Sequence, residues 1–422
     1  MQSFEIVGGH RLKGSVEISG AKNAALPIMA ASILVEGEIV LHNVPDLADV
    51  RSMQTLLARL GVKSDRRPDG AMTLRVEDEM NAHAEYELVS KMRASVCVMG
   101  PLLAKRRRAQ VAMPGGCAIG DRPIDLHVLG LRCLGAESDF VNGDVLLRGK
   151  KLKGAEIFLG GPFGSSVTAT ANVMMAATLA EGRTVIASAA CEPEVVDLAN
   201  FLIACGARIT GQGTPEIFVE GVSTLHGAEY RIIPDRIEAG TFMIAGAITN
   251  GDLELVGARI EHMRAVVDRL RRVGIIIERA EKGVSVSSTR RLEPTVITTQ
   301  PYPGFPTDLQ AQAMALLCLA DGNSVITEKI YPDRFLHVGE LNRMGAQLHK
   351  EGPTVIIEGP TRLVGAPVMA SDLRASAALI LAGLIAKGTT RIHRAYHIDR
   401  GYEKIEEKLT QLGAVVRRVN DA

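Results

Sequence analysis

The sequence predicts an α/β protein built from six copies of one supersecondary unit, three in each of two lobes. Three observations carry this: a glycine closing a helix-like stretch at a fixed period, a second helix of small apolar residues in each unit, and a short β-like run. The glycine recurs in one phrase, an apolar residue, Gly, then a small or β-branched residue. It stands at Leu60-Gly61-Val62, Leu134-Gly135-Ala136, Cys205-Gly206-Ala207, Val273-Gly274-Ile275, Met344-Gly345-Ala346 and Leu412-Gly413-Ala414. Successive glycines lie 68 to 74 residues apart, so six units fill the 422 residues.

In each unit the second helix is rich in Ala and apolar nearly all round, over residues 24–34, 94–104, 170–180, 241–248, 309–320 and 373–386. Such a helix is buried rather than amphipathic. Most of these helices end at a glycine turn (Glu36-Gly37, Glu181-Gly182, Asn250-Gly251, Asp321-Gly322, Lys387-Gly388), a natural stop. Strands are expected at 38–41, 184–187, 324–327 and 389–392. Pro234 interrupts a strand pattern near residues 230–235, the expected hinge, which leaves a cleft between the lobes for a ligand.

Composition narrows the class. The length exceeds what one core supports, and 46% apolar with 23% charged residues describes a globular chain. Forty-eight basic and forty-eight acidic side chains cancel, which argues against a general nucleic-acid or membrane-surface binder. Residues 1–10 lack the pattern of a signal peptide, and apolar windows such as 375–386 are too short to span a bilayer. Cysteines at 97, 117, 133, 191, 205 and 318 form no C-x-x-C pair, and the histidines show no metal-ligand spacing. A cytoplasmic protein without metal or cofactor is expected; the sequence assigns no oligomeric state.

The residues from Met113 to Pro123 set Cys117 among three glycines and two prolines, with Arg122 five positions on. That composition puts the cysteine on a loop, where a guanidinium favours its thiolate. Several buried helices open with polar groups: Lys22 and Asn23, Arg93, Thr307 and Asp308, Asp372 and Arg374. Helix N-termini attract anions, so these cations point to a phosphate or carboxylate ligand. Arg334 and Arg400 add loop cations. Taken singly, each is equally an ordinary cap or a solvated charge. Thr307 is a competent N-cap, which leaves Asp308 for another task. The 160–166 stretch, Gly-Gly-Pro-Phe-Gly-Ser-Ser, is either a diphosphate cradle or an ordinary loop, and Arg106-Arg107-Arg108 reads as a solvated turn.

Five blocks resemble the enolpyruvyl transferases, in their nucleotide-sugar rather than their shikimate branch. They are Ser19-Gly20-Ala21-Lys22-Asn23-Ala24-Ala25-Leu26-Pro27, Pro114-Gly115-Gly116-Cys117, Phe305-Pro306-Thr307-Asp308-Leu309-Gln310-Ala311-Gln312, Asp372-Leu373-Arg374-Ala375-Ser376 and His397-Ile398-Asp399-Arg400-Gly401-Tyr402-Glu403. The resemblance implies an inside-out α/β barrel of six βαβαββ units. Residues 22–231 would form a lobe carrying the Cys117 loop, and 1–21 with 232–422 a lobe carrying Asp308, Arg334, Arg374 and Arg400. It implies transfer of enolpyruvyl from phosphoenolpyruvate to the 3-hydroxyl of UDP-N-acetylglucosamine, the committed step of peptidoglycan synthesis, and sensitivity to fosfomycin. The alternatives are a paralogue with another nucleotide acceptor and a non-catalytic nucleotide-sugar binder.

By the same resemblance Cys117 is the general acid and Asp308 takes the 3-hydroxyl proton. Lys22, Arg122 and Arg400 hold the phosphate, Arg334 and Arg374 the carboxylate, with Arg93 in support and Asp372 orienting its neighbours. Asn23 meets the sugar. Arg122, Pro123, Asp125 and Leu126 hold uracil, and Ser166, Val167 and Thr168 the diphosphate. This chain departs from the common pattern at Ala48, Asp121, Thr168 and Cys191, where Lys, Ala or Ser, Gly and Arg are more usual. Its 160–166 loop is longer and lacks a lysine.

Overall fold

The computed structural model describes residues 2–113, 123–288 and 291–420. They form two compact units, one of residues 2–19 with 234–420, the other of 20–113 with 123–233. Each unit holds three four-stranded sheets, and all six sheets share one pairing order. An edge strand runs parallel to the second, which is antiparallel to the third, which is antiparallel to the fourth. In one sheet Arg183–Ala187 runs parallel to Glu156–Phe158 and antiparallel to Glu216–Glu220, with Arg208–Thr210 beyond. Thr184, Ile186, Ile217 and Val219 turn inward and their neighbours outward, the alternation of a sheet covered on one face.

The N-terminal strands explain why residues 2–19 belong with the second half of the chain. Gln2–Val7 pairs with both Thr389–His393 and Val415–Asn420 as the third strand of their four-stranded sheet. Lys13–Glu17 runs parallel to Asp252–Val256 and opens another. In the other unit, Glu229–Arg231 runs parallel to Ile39–His42.

The six periodic glycines all adopt left-handed backbone angles, with φ between 77° and 101°. Gly206 illustrates the cause. It follows the helix Pro193–Ala204, and its N–H reaches the Ile203 carbonyl (2.9 Å) while the Ala207 N–H reaches back to Leu202 (2.9 Å). This double closure needs an angle that costs a side-chain-bearing residue roughly 1–2 kcal/mol. The residue after each glycine is buried beneath the turn, Val62 and Ile275 as well as Ala136, Ala207, Ala346 and Ala414. The expected stop at Asn250-Gly251 differs: Asn250 takes the positive φ (51°), and Gly251 serves close approach instead, since a Cβ there would stand 2.5 Å from the Leu12 carbonyl.

Each unit is organised around three buried helices. Arg236–Ile248, Gln310–Leu317 and Leu373–Ile385 pack on one another in one unit, and residues 237–248 are all buried. A side chain at Gly240 would lie 2.5 Å from Leu309 Cδ1, so glycine lets these helices approach. In the other unit Lys22–Ala31 and Val167–Ala177 pack against a segment that starts as the 3₁₀ turn Arg93–Val98 and continues as the α-helix Met99–Arg106. The helix expected over 94–104 is thus broken at its start. The Asn172 amide enters the missing rung: its Oδ1 accepts from Gly100 N–H (2.7 Å) and its Nδ2 donates to the Val96 carbonyl (2.9 Å).

Candidate active site

In the unit of residues 2–19 and 234–420, Asp308 lies in the 3₁₀ turn Thr307–Leu309 that leads into the buried helix Gln310–Leu317. Its Oδ1 accepts from Arg334 Nη1 at 2.8 Å and its Oδ2 from Arg374 Nη2 at 2.7 Å. The arginine side chains are 8% and 5% exposed, that of Asp308 23%. Burial opposes ionisation of Asp308, but the Arg374 and Arg334 guanidiniums hold its carboxyl well below the usual range. Burial likewise works against the Arg374 charge, and Asp308, with Tyr402 and Asp235, more than restores it. Arg374 Nη1 donates to the Tyr402 hydroxyl (3.3 Å), which shares a hydrogen bond with Thr241 (2.8 Å) and accepts from Gln312 Nε2 (3.1 Å).

The backbone under Arg374 is fixed by Asp372, which caps the helix Leu373–Ile385 by accepting from the N–H groups of Arg374 (2.8 Å) and Ala375 (3.1 Å). Thr307 does not cap. Its hydroxyl donates to Glu328 Oε2 (2.9 Å) and accepts from Arg334 Nη1 (3.0 Å), so the expectation of a capping Thr307 is corrected. Glu328 is fully buried and also accepts from Thr299 Oγ1 and from the N–H groups of Ile330 and Tyr331, which ties the Arg334 loop to the sheet. Buried His337 is pushed down to about 4 by desolvation and by Arg334, with Asp372 pulling the other way. Half-buried Arg400 ends the turn Ala395–Arg400 and, with desolvation first, depresses His397, on which Asp372 again acts in the opposite sense.

In the unit of residues 20–113 and 123–233, Lys22 opens its buried helix and places Nζ 3.1 Å from Asp49 Oδ2, with side chains 12% and 5% exposed. Asp49 sits beside Ala48 in the first turn of Ala48–Arg59. Asn23 is half-buried next to Lys22, and Arg93 starts the turn against which the Lys22 helix packs. Pro123 and Asp125 are exposed, the latter opening the helix Asp125–Cys133. A Cβ on Gly161 would stand 3.2 Å from Leu126 Cδ1. The 160–166 stretch is a tight hairpin, Gly160–Gly161 against Gly164–Ser165, leading to Ser166, whose Oγ accepts from Ala169 N–H (3.3 Å) and caps Val167–Ala177. Thr168 Oγ1 lies 3.1 Å from His127 Nε2.

Asp308, Arg334 and Arg374 are therefore in direct contact, with Asp372 beneath them. The helix Asp125–Cys133 reaches Thr168 through His127 and lies against Gly161 at Leu126. Cys117, Asp121 and Arg122 lie outside the described residues. Sequence reasoning missed Asp49, Glu328 and the Tyr402–Thr241–Gln312 group. Tyr402 and Gln312 stood inside the quoted motifs, whereas Asp49 and Glu328 had only their places in charged, ordinary-looking stretches. Two buried guanidinium forks closed on one carboxylate form a ready receptor for a second carboxylate or a phosphate. Among the described residues no three His, Cys, Asp or Glu side chains converge on a metal position, and no helix is long and apolar enough to cross a membrane.

Residues 6–409 match the profile of the family described as EPSP synthase (3-phosphoshikimate 1-carboxyvinyltransferase). A protein of Methylacidiphilum infernorum (isolate V4), named UDP-N-acetylglucosamine 1-carboxyvinyltransferase, is 52% identical over 420 residues, covering 99% of each chain. One of the same name from Lawsonia intracellularis is 51% identical over 421 residues and all of both chains. The crystal structure of the enolpyruvyl transferase NikO from Streptomyces tendae superposes with a TM-score of 0.90 at 23% identity, covering 100% of this chain and 99% of the other. EPSP synthase from Acinetobacter baumannii gives 0.77 at 21% over all of both chains, and these two likenesses establish a mixed α/β fold.

Proposed function

We propose, since this chain belongs to the EPSP synthase (3-phosphoshikimate 1-carboxyvinyltransferase) family, that it transfers the enolpyruvyl group of phosphoenolpyruvate to the 3-hydroxyl of UDP-N-acetylglucosamine and releases phosphate. The names of relatives 51–52% identical over the whole chain support that acceptor over a paralogue's, and over a non-catalytic binder. The reaction would serve peptidoglycan synthesis in the cytoplasm, without nucleic acid or membrane. Six sheets of one pairing order, three per unit, support the inside-out barrel of βαβαββ repeats.

The observation that carries the reading is the Asp308 carboxylate held between Arg334 and Arg374. Phosphoenolpyruvate brings a carboxylate of the same shape. As both guanidiniums turn to it, Asp308 loses the charges that keep it weakly basic and becomes able to take the 3-hydroxyl proton. Cys117 delivers a proton to the methylene carbon while the hydroxyl oxygen bonds to the adjacent carbon, giving a tetrahedral ketal. Loss of a methyl proton then expels phosphate by carbon–oxygen cleavage and leaves the enol ether. Lys22, Arg122 and Arg400, supported by Arg93, offset the phosphate charge. Asn23 holds the sugar; Pro123, Asp125 and Leu126, with Arg122, hold uracil; Ser166, Val167 and Thr168 hold the diphosphate.

The test is phosphate release from phosphoenolpyruvate with and without UDP-N-acetylglucosamine. Release is expected only with the sugar nucleotide, and Asp308→Asn is expected to lower kcat about 10²–10⁴-fold. Release independent of the acceptor, or wild-type turnover by the variant, contradicts the reading.

A further inference from the structure

A buried polar chain links the broken helix start at Val96–Gly100 to Thr168. Asn172 is fully buried, and the two backbone groups it meets settle which end of its amide is which. Gly100 N–H can only donate, so the atom 2.7 Å away is Oδ1; the Val96 carbonyl can only accept, so it faces Nδ2. The second hydrogen on Nδ2 is directed to His127 Nδ1 at 2.8 Å, which must accept it. An imidazole accepting at Nδ1 is neutral and carries its proton on Nε2. That N–H reaches Thr168 Oγ1 at 3.1 Å and makes the hydroxyl an acceptor there. The hydroxyl's own hydrogen then points away from the ring, at the second residue of the helix Val167–Ala177, which Ser166 caps.

We infer that His127 is a positioning residue, fixing the Thr168 hydroxyl as a hydrogen-bond donor to a phosphate oxygen of the acceptor's diphosphate. The inference rests on the acceptor reading above. A diphosphate offers acceptors only, so a hydroxyl whose lone pair is already engaged by an N–H is pre-set for it. Protonating the ring would set an N–H against the Asn172 amide hydrogens and break the chain. The site resists this: desolvation, then the nearby Arg93 charge, push His127 down to about 3.

The test combines ¹⁵N NMR of the labelled imidazole with calorimetric titration and kinetics on the full-length protein. The Nε2–H tautomer is expected and should persist to about pH 5. Thr168→Val should weaken UDP-N-acetylglucosamine binding at least tenfold and raise its KM alike, with the KM for phosphoenolpyruvate within twofold. Thr168→Ser, which keeps the hydroxyl, should restore both. His127→Phe should raise the acceptor KM in the wild type but have little further effect on the Thr168→Val background. An Nδ1–H tautomer, or unchanged acceptor binding by Thr168→Val, overturns the inference alone. Wild type that fails to bind the sugar nucleotide at all overturns the acceptor reading and this inference with it.

Discussion

Arg374 and Asp308 stand 2.7 Å apart at the starts of two buried helices packed on each other, and Arg334 takes the other oxygen of the same carboxylate. Such an arrangement uses the planar fork of arginine, which an ammonium cannot reproduce. Arg374→Lys is expected to reduce kcat/KM on the order of 10²-fold, about 2.7 kcal/mol. Steady-state kinetics near the wild-type value would remove Arg374 from the substrate site.

The same triad sets a pH signature. Before substrate arrives, Asp308 lies well below its ordinary pKa despite burial, because Arg374 and Arg334 hold it ionised. The kcat/KM profile, which reports the free enzyme, is therefore expected to show no acid limb from Asp308 above about pH 4, after allowance for the ionisation of phosphoenolpyruvate. On the proposed mechanism the substrate carboxylate engages both guanidiniums in the complex, so the acid limb of kcat should lie at higher pH. Coincident limbs in the two profiles contradict a carboxylate freed by its own substrate.

How much of this was legible in the sequence depends on whether a feature is local. Gly206 and its five counterparts announced themselves because one backbone angle excludes nearly every other residue. The buried helices were legible from small apolar residues on every face. Glu328 was not: next to Lys329 it reads as a solvated charge, and its burial follows from Thr299 and Thr307, each more than twenty residues away. Asp49 was hidden likewise, since only the fold carries Lys22 to it. The break between Val96 and Gly100 was unreadable because the side chain that fills it comes from position 172.

Acid lability should trace partly to two histidines. Desolvation holds His127 down to about 3 and His337 to about 4, against an ordinary value of 6.5. The unfolded chain binds these protons first. Their contribution to stability is thus present above about pH 6.5 and lost as pH falls towards the folded values, at about 1.4 kcal/mol per pH unit for each proton. Urea unfolding of His127→Gln between about pH 6 and 5 should show a slope against pH smaller by one proton's worth. An unchanged slope would mean that His127 is not held neutral.

Alkylation offers a separate handle on Cys117. Burial pushes the thiols of Cys97, Cys205 and Cys318 up to about 12, and Cys191 is raised by burial and by Glu192. Fosfomycin, an epoxide resembling phosphoenolpyruvate, should add once per chain in the presence of UDP-N-acetylglucosamine, at Cys117. Peptide mapping that finds the adduct on exposed Cys133, or no adduct, counts against Cys117 as the activated thiol.

The most direct measurement follows the transferred group itself. With phosphoenolpyruvate labelled with ¹⁸O at the oxygen bridging carbon and phosphorus, mass spectrometry of both products should find UDP-N-acetylglucosamine heavier by one unlabelled enolpyruvyl group and an equal amount of phosphate carrying the label. An unmodified sugar nucleotide, or label retained on the three-carbon fragment, would contradict enolpyruvyl transfer by this protein.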